Sequence, residues 1–312
     1  MLDSSPESLP QLGNEISDYF SRNERNSSLK DFDVDEFPKG KTIYHYTTAA
    51  GLLGILQSRM IWATEASYLN DSQEIKYGVD LAVEELNKLF EEKSVEDYRE
   101  LIDTVTQKLL IFGQSEIYVS FLCEDGDLLS KWKGYSDFGA GFSIGLNVDQ
   151  FLISRPMLSA SPIRIKKVVY DAVIQKRILW DEFNATLGQF DDWRGRYPKE
   201  TMASYLPAAA TGLTEYIKLQ LVRFKAKAFE EEKEWRMIFY PFFQDVEYKN
   251  LIRFRIVGNR IIPYLEFQLP TISEIVRGPK IDRESSRKAI DLIYERASIP
   301  PPQLSESKIN LQ

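Results

Sequence analysis

One histidine and one cysteine in 312 residues leave little room for several classes of chemistry. Zinc centres built on several histidines, the H-E-x-x-H helix among them, need ligands this chain does not have. A single cysteine makes neither a Cys-rich zinc site nor an intramolecular disulfide. The lone Cys123 fits a reducing compartment, and a cytoplasmic location is the expectation. No apolar run approaches the roughly 20 residues needed to cross a bilayer, so no membrane partner is expected. Met1 to Pro10 is polar and acidic, without the basic and apolar regions of a secretory leader. Positive charge is also short. With 39 Lys and Arg against 47 Asp and Glu the formal net charge is -8, which repels a phosphate backbone and disfavours general nucleic-acid binding. The glycine loops G-x-G-x-x-G and G-x-x-x-x-G-K-[ST] are missing, and so is the G-x-S-x-G elbow of serine hydrolases.

What is present suffices for a folded core: 43% of the residues are hydrophobic and 12% aromatic. Residues 1–40 read as a peripheral segment with one short helix over 12–20, residues 41–299 as a single domain, and residues 300–312, proline-rich and polar, as a mobile tail. Strands are expected at 43–46, 117–123, 142–146, 163–170, 235–240, 252–256, 264–267 and 272–277. Helices are expected after Thr47 or Thr48, after Asp71 or Ser72, and over 95–110, 172–190, 284–297 and 199–227, the last with a break at Pro207. Short strands interrupted irregularly by helices argue for an α+β fold rather than a repeating parallel one. Two basic groups, Arg164 with Lys166 and Lys167, and Arg223 with Lys225 and Lys227, read as a solvated strand edge and a solvated helix face.

Two stretches carry candidate chemistry. His45 lies in Tyr44-His45-Tyr46-Thr47, where a strand meets a helix; by alternation His45 and Thr47 face one side and Tyr44 and Tyr46 the other. A hydrogen-bonded structural histidine explains this position as readily as a ligand does. The second stretch is Glu230-Glu231-Glu232-Lys233-Glu234-Trp235-Arg236, an acidic run entering an apolar strand. There Glu234 and Arg236 share one face, and Trp235, Met237 and Phe239 the core face. A solvated acidic face is the plain alternative.

Taken in order, Y-H-Y-T with an immediate helix, L-N-D-x-x-E, V-S-F followed by G-D-L-L-S-x-W, and E-x-E-W-R closely resemble the bacterial family called domain of unknown function 2971. The resemblance runs over roughly residues 41–296 and takes in Gly139 to Gly145, the Glu231 to Arg236 run and, near its end, Ile272 to Pro279. More distantly, the strand-His-x-Thr-helix opening, the middle V-S-F strand and the late strand entered through a glutamate resemble the H-Y-E pattern of the ADP-ribosyltransferase superfamily. That resemblance implies a split, mostly antiparallel β-sheet core flanked by helices, with NAD as substrate and no metal. It implies His45 as ribose ligand beside Thr47 and Glu234 as the catalytic carboxylate. Ser120 and Phe121 would line the middle strand, Trp132 and Tyr135 would form aromatic walls, and Arg236 would contact the cofactor. The middle tyrosine has no clean counterpart; Tyr118 and Tyr135 are the nearby substitutes, and helix-to-core packing is the commoner role for a tryptophan placed like Trp132. Asn70, Asp71 and Glu74 would shape a loop beside the pocket, or simply cap a helix.

NAD cleavage suits so small an apparatus, because departure of nicotinamide needs an oriented ribose and one carboxylate near the developing positive charge. The acceptor of ADP-ribose is open, and a bacterial toxin or phage-defence effector is a compatible setting. Two other readings stand beside this one: a metal-dependent nuclease using the Glu231 to Glu234 carboxylates and Asp71, and a non-catalytic sensing or interaction module.

Overall fold

The computed structural model describes residues 8–22, 40–69, 72–93, 96–111, 116–152, 163–241 and 247–310. In chain order the first elements are α1 (Ser8–Arg22), β1 (Thr42–Thr48), α2 (Ala49–Ser58), β2 (Met60–Glu65), α3 (Ser72–Lys93), α4 (Glu96–Leu110), β3 (Tyr118–Cys123), α5 (Leu129–Tyr135) and β4 (Gly141–Asn147). They are followed by β5 (Ile163–Lys167), α6 (Ala172–Arg196), α7 (Lys199–Leu221), β6 (Glu234–Phe239), β7 (Arg253–Val257), β8 (Arg260–Gln268), β9 (Ile272–Arg277), α8 (Arg283–Arg296) and β10 (Gln303–Glu306). The chain is α+β, and its strand pairs are antiparallel except for β9 with β10. Among the described residues no helix is long and apolar enough to cross a membrane.

The chain forms two compact units, each drawn from separate stretches of sequence, where composition alone points to one domain over 41–299. The first unit takes residues 1–35, 70–115 and 169–227 and is helical, with α7 packed against α1, α4 and α6. Helix α1, expected to be peripheral, buries Leu12 and Ile16 here. Gly212 of α7 gives it room, since a Cβ at that position would strike the Phe20 ring. Helix α7 also continues through Pro207, where a break is expected, and Pro207 lies on its exposed side. The supposedly solvated Arg223 and Lys225 are buried in this unit, and Lys225 meets Glu74 at 2.7 Å. Asn70 and Asp71 lie outside the described residues.

The second unit takes residues 36–69, 116–168 and 228–312 and holds the whole ten-stranded sheet. The order runs β10-β9-β4-β1-β3-β2-β8-β7, with β6 pairing β3, and β5 pairing β6. Strand β3 is therefore the pivot. Along one edge it pairs β6 over its full length, from Tyr118 opposite Phe239 to Cys123 opposite Glu234. Its other edge is divided. Cys123 pairs Tyr44 of β1 at one end, and Tyr118 and Val119 pair Glu65 and Thr64 of β2 at the other. Between them the sheet splits.

One face of this sheet carries the main core, which includes Ile43, Ile61, Tyr118, Leu122, Ile144, Trp235, Met237 and Phe239, together with Leu52 and Leu56 of α2 and Ile290 of α8. Thr48, not Thr47, caps α2, accepting from the Gly51 amide at 3.1 Å. The final residues, which read as a mobile tail, add β10 as a parallel edge strand beside β9. Ser307 Oγ and the Lys308 amide then donate to the Asp127 carboxylate at 2.5 and 2.7 Å.

Candidate functional site

Directly opposed residues of paired strands project from the same face of a sheet, and neighbours along a strand project from opposite faces. Tyr44 is opposite Cys123, Cys123 is opposite Glu234, and Phe121 is opposite Arg236. These five side chains share the face away from the main core. His45 is opposite Ile144, a core residue, and Ser120 is opposite Met237, another. By alternation His45, Thr47 and Ser120 therefore belong to the core face, and His45 does not share a face with Glu234.

On the Glu234 face the short helix α5 lies near β1, and Lys131 reaches from it into the sheet. Its ammonium nitrogen is 2.6 Å from Glu232 Oε2 and 3.3 Å from Glu234 Oε2. Arg236 Nε donates to Glu234 Oε1 at 2.6 Å. All four groups are buried, and Glu234 has 0% of its surface exposed. Between the two carboxylates Lys233 has a left-handed backbone, φ 46°, where the 3-10 turn Lys227–Glu232 gives way to β6. Burial works against the Lys131 ammonium, yet Glu234, Tyr135 and Glu232 outweigh it and its pKa rises. In these contacts two carboxylates meet two cations, the pairing that burial of ions requires.

Two aromatic rings cover the cluster. Phe121 and Tyr135 lie 6.3 Å apart between ring centroids at 49°, with the Arg236 guanidinium 5.2 Å from the first ring and Lys131 Nζ 4.4 Å from the second. Tyr135 is 37% exposed, so the assembly opens outward on that side. Nearby, Tyr44 donates to Glu274 at 3.0 Å, and its pKa is pushed up to about 12 by burial and then by that carboxylate. The Tyr44 ring lies on Gly126, where a Cβ would come within 2.5 Å of it. The Cys123 thiol, buried, is pushed up to about 11.

Of the residues singled out from the sequence, Glu234, Arg236, Phe121 and Tyr135 come together here. The others do not. His45 is half-buried at the split, where its Nδ1 lies 2.9 Å from the Phe121 carbonyl oxygen. A carbonyl only accepts, so Nδ1 carries the proton, and burial lowers the imidazole pKa, which keeps the ring neutral and leaves Nε2 as an acceptor. Thr47 packs its hydroxyl against Gly51 of α2. Ser120 is buried with its hydroxyl unpartnered among the described residues. Trp132 is fully buried, donating to Asp127 at 2.7 Å and meeting Tyr46 edge to face at 4.9 Å, so it packs the core and presents no surface to a ligand. Tyr118 is buried in the main core. Lys131 is not singled out by the sequence, and Glu232 enters there only as part of the acidic run and of the nuclease reading; the signal for Lys131 is a lysine inside the apolar Leu128 to Trp132 stretch.

These features define an α+β protein with a split, largely antiparallel sheet backing a buried ionic cluster. Residues 131–237 match the family model described as a protein of unknown function, DUF2971. The matched span holds Lys131, Tyr135, Glu232, Glu234 and Arg236 and begins after His45 and Phe121. No curated protein matches the chain. No solved structure matches it either.

Proposed function

We propose that the sheet unit is an ADP-ribosyltransferase-like domain that binds NAD on the Glu234 face and transfers ADP-ribose to a nucleophilic acceptor. The observation that carries this reading is the Glu234 carboxylate, set between two cations beneath Phe121 and Tyr135. Its support is the adjacency of β1, β3 and β6, the three strands that bear the H-Y-E-like residues, with β3 in the middle at a split.

The chemistry follows from charge. The bond between ribose C1 and the nicotinamide nitrogen breaks, nicotinamide leaves neutral with the bonding pair, and positive charge develops on the ribose. Lys131 Nζ marks where this face already stabilises a cation. Its contact to Glu234 Oε2 is longer than its contact to Glu232, 3.3 against 2.6 Å, so Oε2 is the oxygen more readily turned to a ribosyl cation while Arg236 keeps Oε1. Phe121 and Tyr135 supply flat surfaces for the nicotinamide ring. The acceptor then forms its bond to C1 and loses its proton to solvent or to a released carboxylate. His45 enters this scheme as a positioning residue. Its Nδ1 proton holds the Phe121 carbonyl at the split and so sets the strand on which the Phe121 ring stands.

A nuclease is less well served by the same geometry. The space between Glu232 and Glu234 is held by an ammonium, and among the described residues no group of three or more His, Cys, Asp or Glu side chains is arranged to hold a metal ion. The test is nicotinamide release from NAD by the full chain, with labelled NAD and a cell lysate to capture transfer. Tyr135→Ala, at a partly exposed site, should stay folded by circular dichroism and lose on the order of 10-fold in turnover if its stacking is worth about 1–1.5 kcal/mol. Absence of release by the folded wild type removes the proposal.

A further inference from the structure

Beyond the split, the same face continues onto β2, β8 and β7. Thr64 is opposite Val119 of β3 and also opposite Tyr264 of β8, and Tyr264 is opposite Arg253 of β7. Counting by twos, Trp62, Tyr264 and Arg255 project from the face that bears Phe121 and Glu234. Trp62 and Tyr264 stack at 4.4 Å between centroids with a 36° tilt, and Trp62 is 38% exposed. The Arg255 guanidinium lies 5.4 Å from the first ring and 5.6 Å from the second. Its Nη2 donates to Thr64 Oγ1 at 2.8 Å, while its Nε is buried with no hydrogen-bond partner among the described residues.

Arg255 is the unusual member. Surface arginines usually pair with a carboxylate or sit in water, and a guanidinium held beside two stacked rings with an unmatched donor pays for burial without return. Burial accordingly lowers its pKa, against a smaller opposing interaction with Tyr264. The carboxylate on this face of β8, Glu266, lies 4.0 Å from Arg253. With Glu266 set against Arg253, Arg255 is the surplus positive charge of these three on a chain of net charge -8.

We propose that Trp62, Tyr264 and Arg255 form the subsite for the adenine and phosphates of a dinucleotide whose other end lies at Phe121 and Tyr135. This rests on the NAD reading and adds its binding register. Trp62 offers an exposed flat surface to a purine, and Arg255 offers its free Nε and remaining guanidinium protons to a phosphate. Three strand spacings separate β6 from β8, on the order of 14 Å. An extended dinucleotide spans that gap.

The experiment is calorimetric titration of the full chain with ADP-ribose, ADP, adenosine and a single-stranded oligonucleotide, for wild type, Trp62→Ala, Arg255→Gln and Arg255→Lys. Circular dichroism first confirms that each is folded. ADP-ribose and ADP should bind wild type, and Trp62→Ala should weaken both by about 10- to 100-fold, the range for loss of one stacked base. Arg255→Gln should weaken ADP but leave adenosine unchanged, with Arg255→Lys in between. Equal ADP affinity in all four proteins, no adenine-nucleotide binding by wild type, or tighter binding of the oligonucleotide than of ADP would each overturn the subsite. The catalytic reading separates cleanly. Nicotinamide release that continues with unchanged KM in Trp62→Ala defeats the subsite and leaves NAD cleavage standing. Platform-dependent ADP binding without any release supports the subsite and defeats cleavage.

Discussion

Replacing Glu234 by glutamine is the perturbation whose consequence is best defined by the geometry. The side chain has no exposed surface and accepts from both Lys131 and Arg236, at 3.3 and 2.6 Å. The substitution keeps shape but removes one negative charge from contacts in which two carboxylates meet two cations. Removing one partner of a buried ion pair costs about 3–5 kcal/mol, because the remaining charge stays out of water. With a shift of roughly 2–4 °C per kcal/mol for 150–250 residues, the expected fall in Tm is on the order of 6–20 °C. Urea unfolding followed by circular dichroism reads the same loss as an earlier midpoint. Adding Lys131→Met removes the surplus cation, so the double variant Glu234→Gln/Lys131→Met should be more stable than Glu234→Gln alone. A loss under about 1 kcal/mol for Glu234→Gln, or a double variant weaker than the single one, would refute the ionic account of this cluster. It also follows that activity lost in Glu234→Gln says little about catalysis until folding has been measured.

The His45 imidazole is held below its ordinary pKa of 6.5 by burial, so as pH falls through 6.5 the unfolded chain gains a proton that the folded chain does not. Stability therefore declines on acidification. His45→Gln keeps a donor for the Phe121 carbonyl and should reduce that decline between pH 7 and 5 in urea titrations; identical slopes for the two proteins contradict it. Asp127 joins Trp132, Ser307 and Lys308, so Asp127→Asn should release the C-terminal strand to limited proteolysis and lower stability by about 1–3 kcal/mol. An intact, equally resistant tail would assign the clasp to β10 pairing alone.

Much of the fold is visible in sequence because burial imposes periodicity. Strand β9 lies where the Ile272 to Arg277 pattern puts it, and α2 follows its threonine cap. Strand β2 escapes notice because Met60-Ile61-Trp62 is short and places an exposed tryptophan among buried neighbours. Strand β10 is polar, follows prolines and pairs only at an edge, so no hydrophobic alternation announces it. The site shows the same boundary. Within β1 the split between His45 and Tyr44, and within β6 the split between Glu234 and Trp235, are both readable from alternation. Which face of β1 matches which face of β6 depends on the register across β3, and that register is set by long-range pairing. His45 and Glu234 therefore look like partners in sequence order while the sheet divides them. Lys131 lies 103 positions from Glu234, beyond the reach of any local pattern.

The most direct measurement is a crystal structure of the full chain with ADP-ribose or a non-cleavable NAD analogue. The account predicts a ligand on the Glu234 face, its nicotinamide-side ribose at Glu234 and Lys131 beneath Phe121 and Tyr135, with its adenine toward Trp62. A ligand held on the opposite face at His45 and Ser120, with the Glu234 cluster closed and untouched, would contradict it.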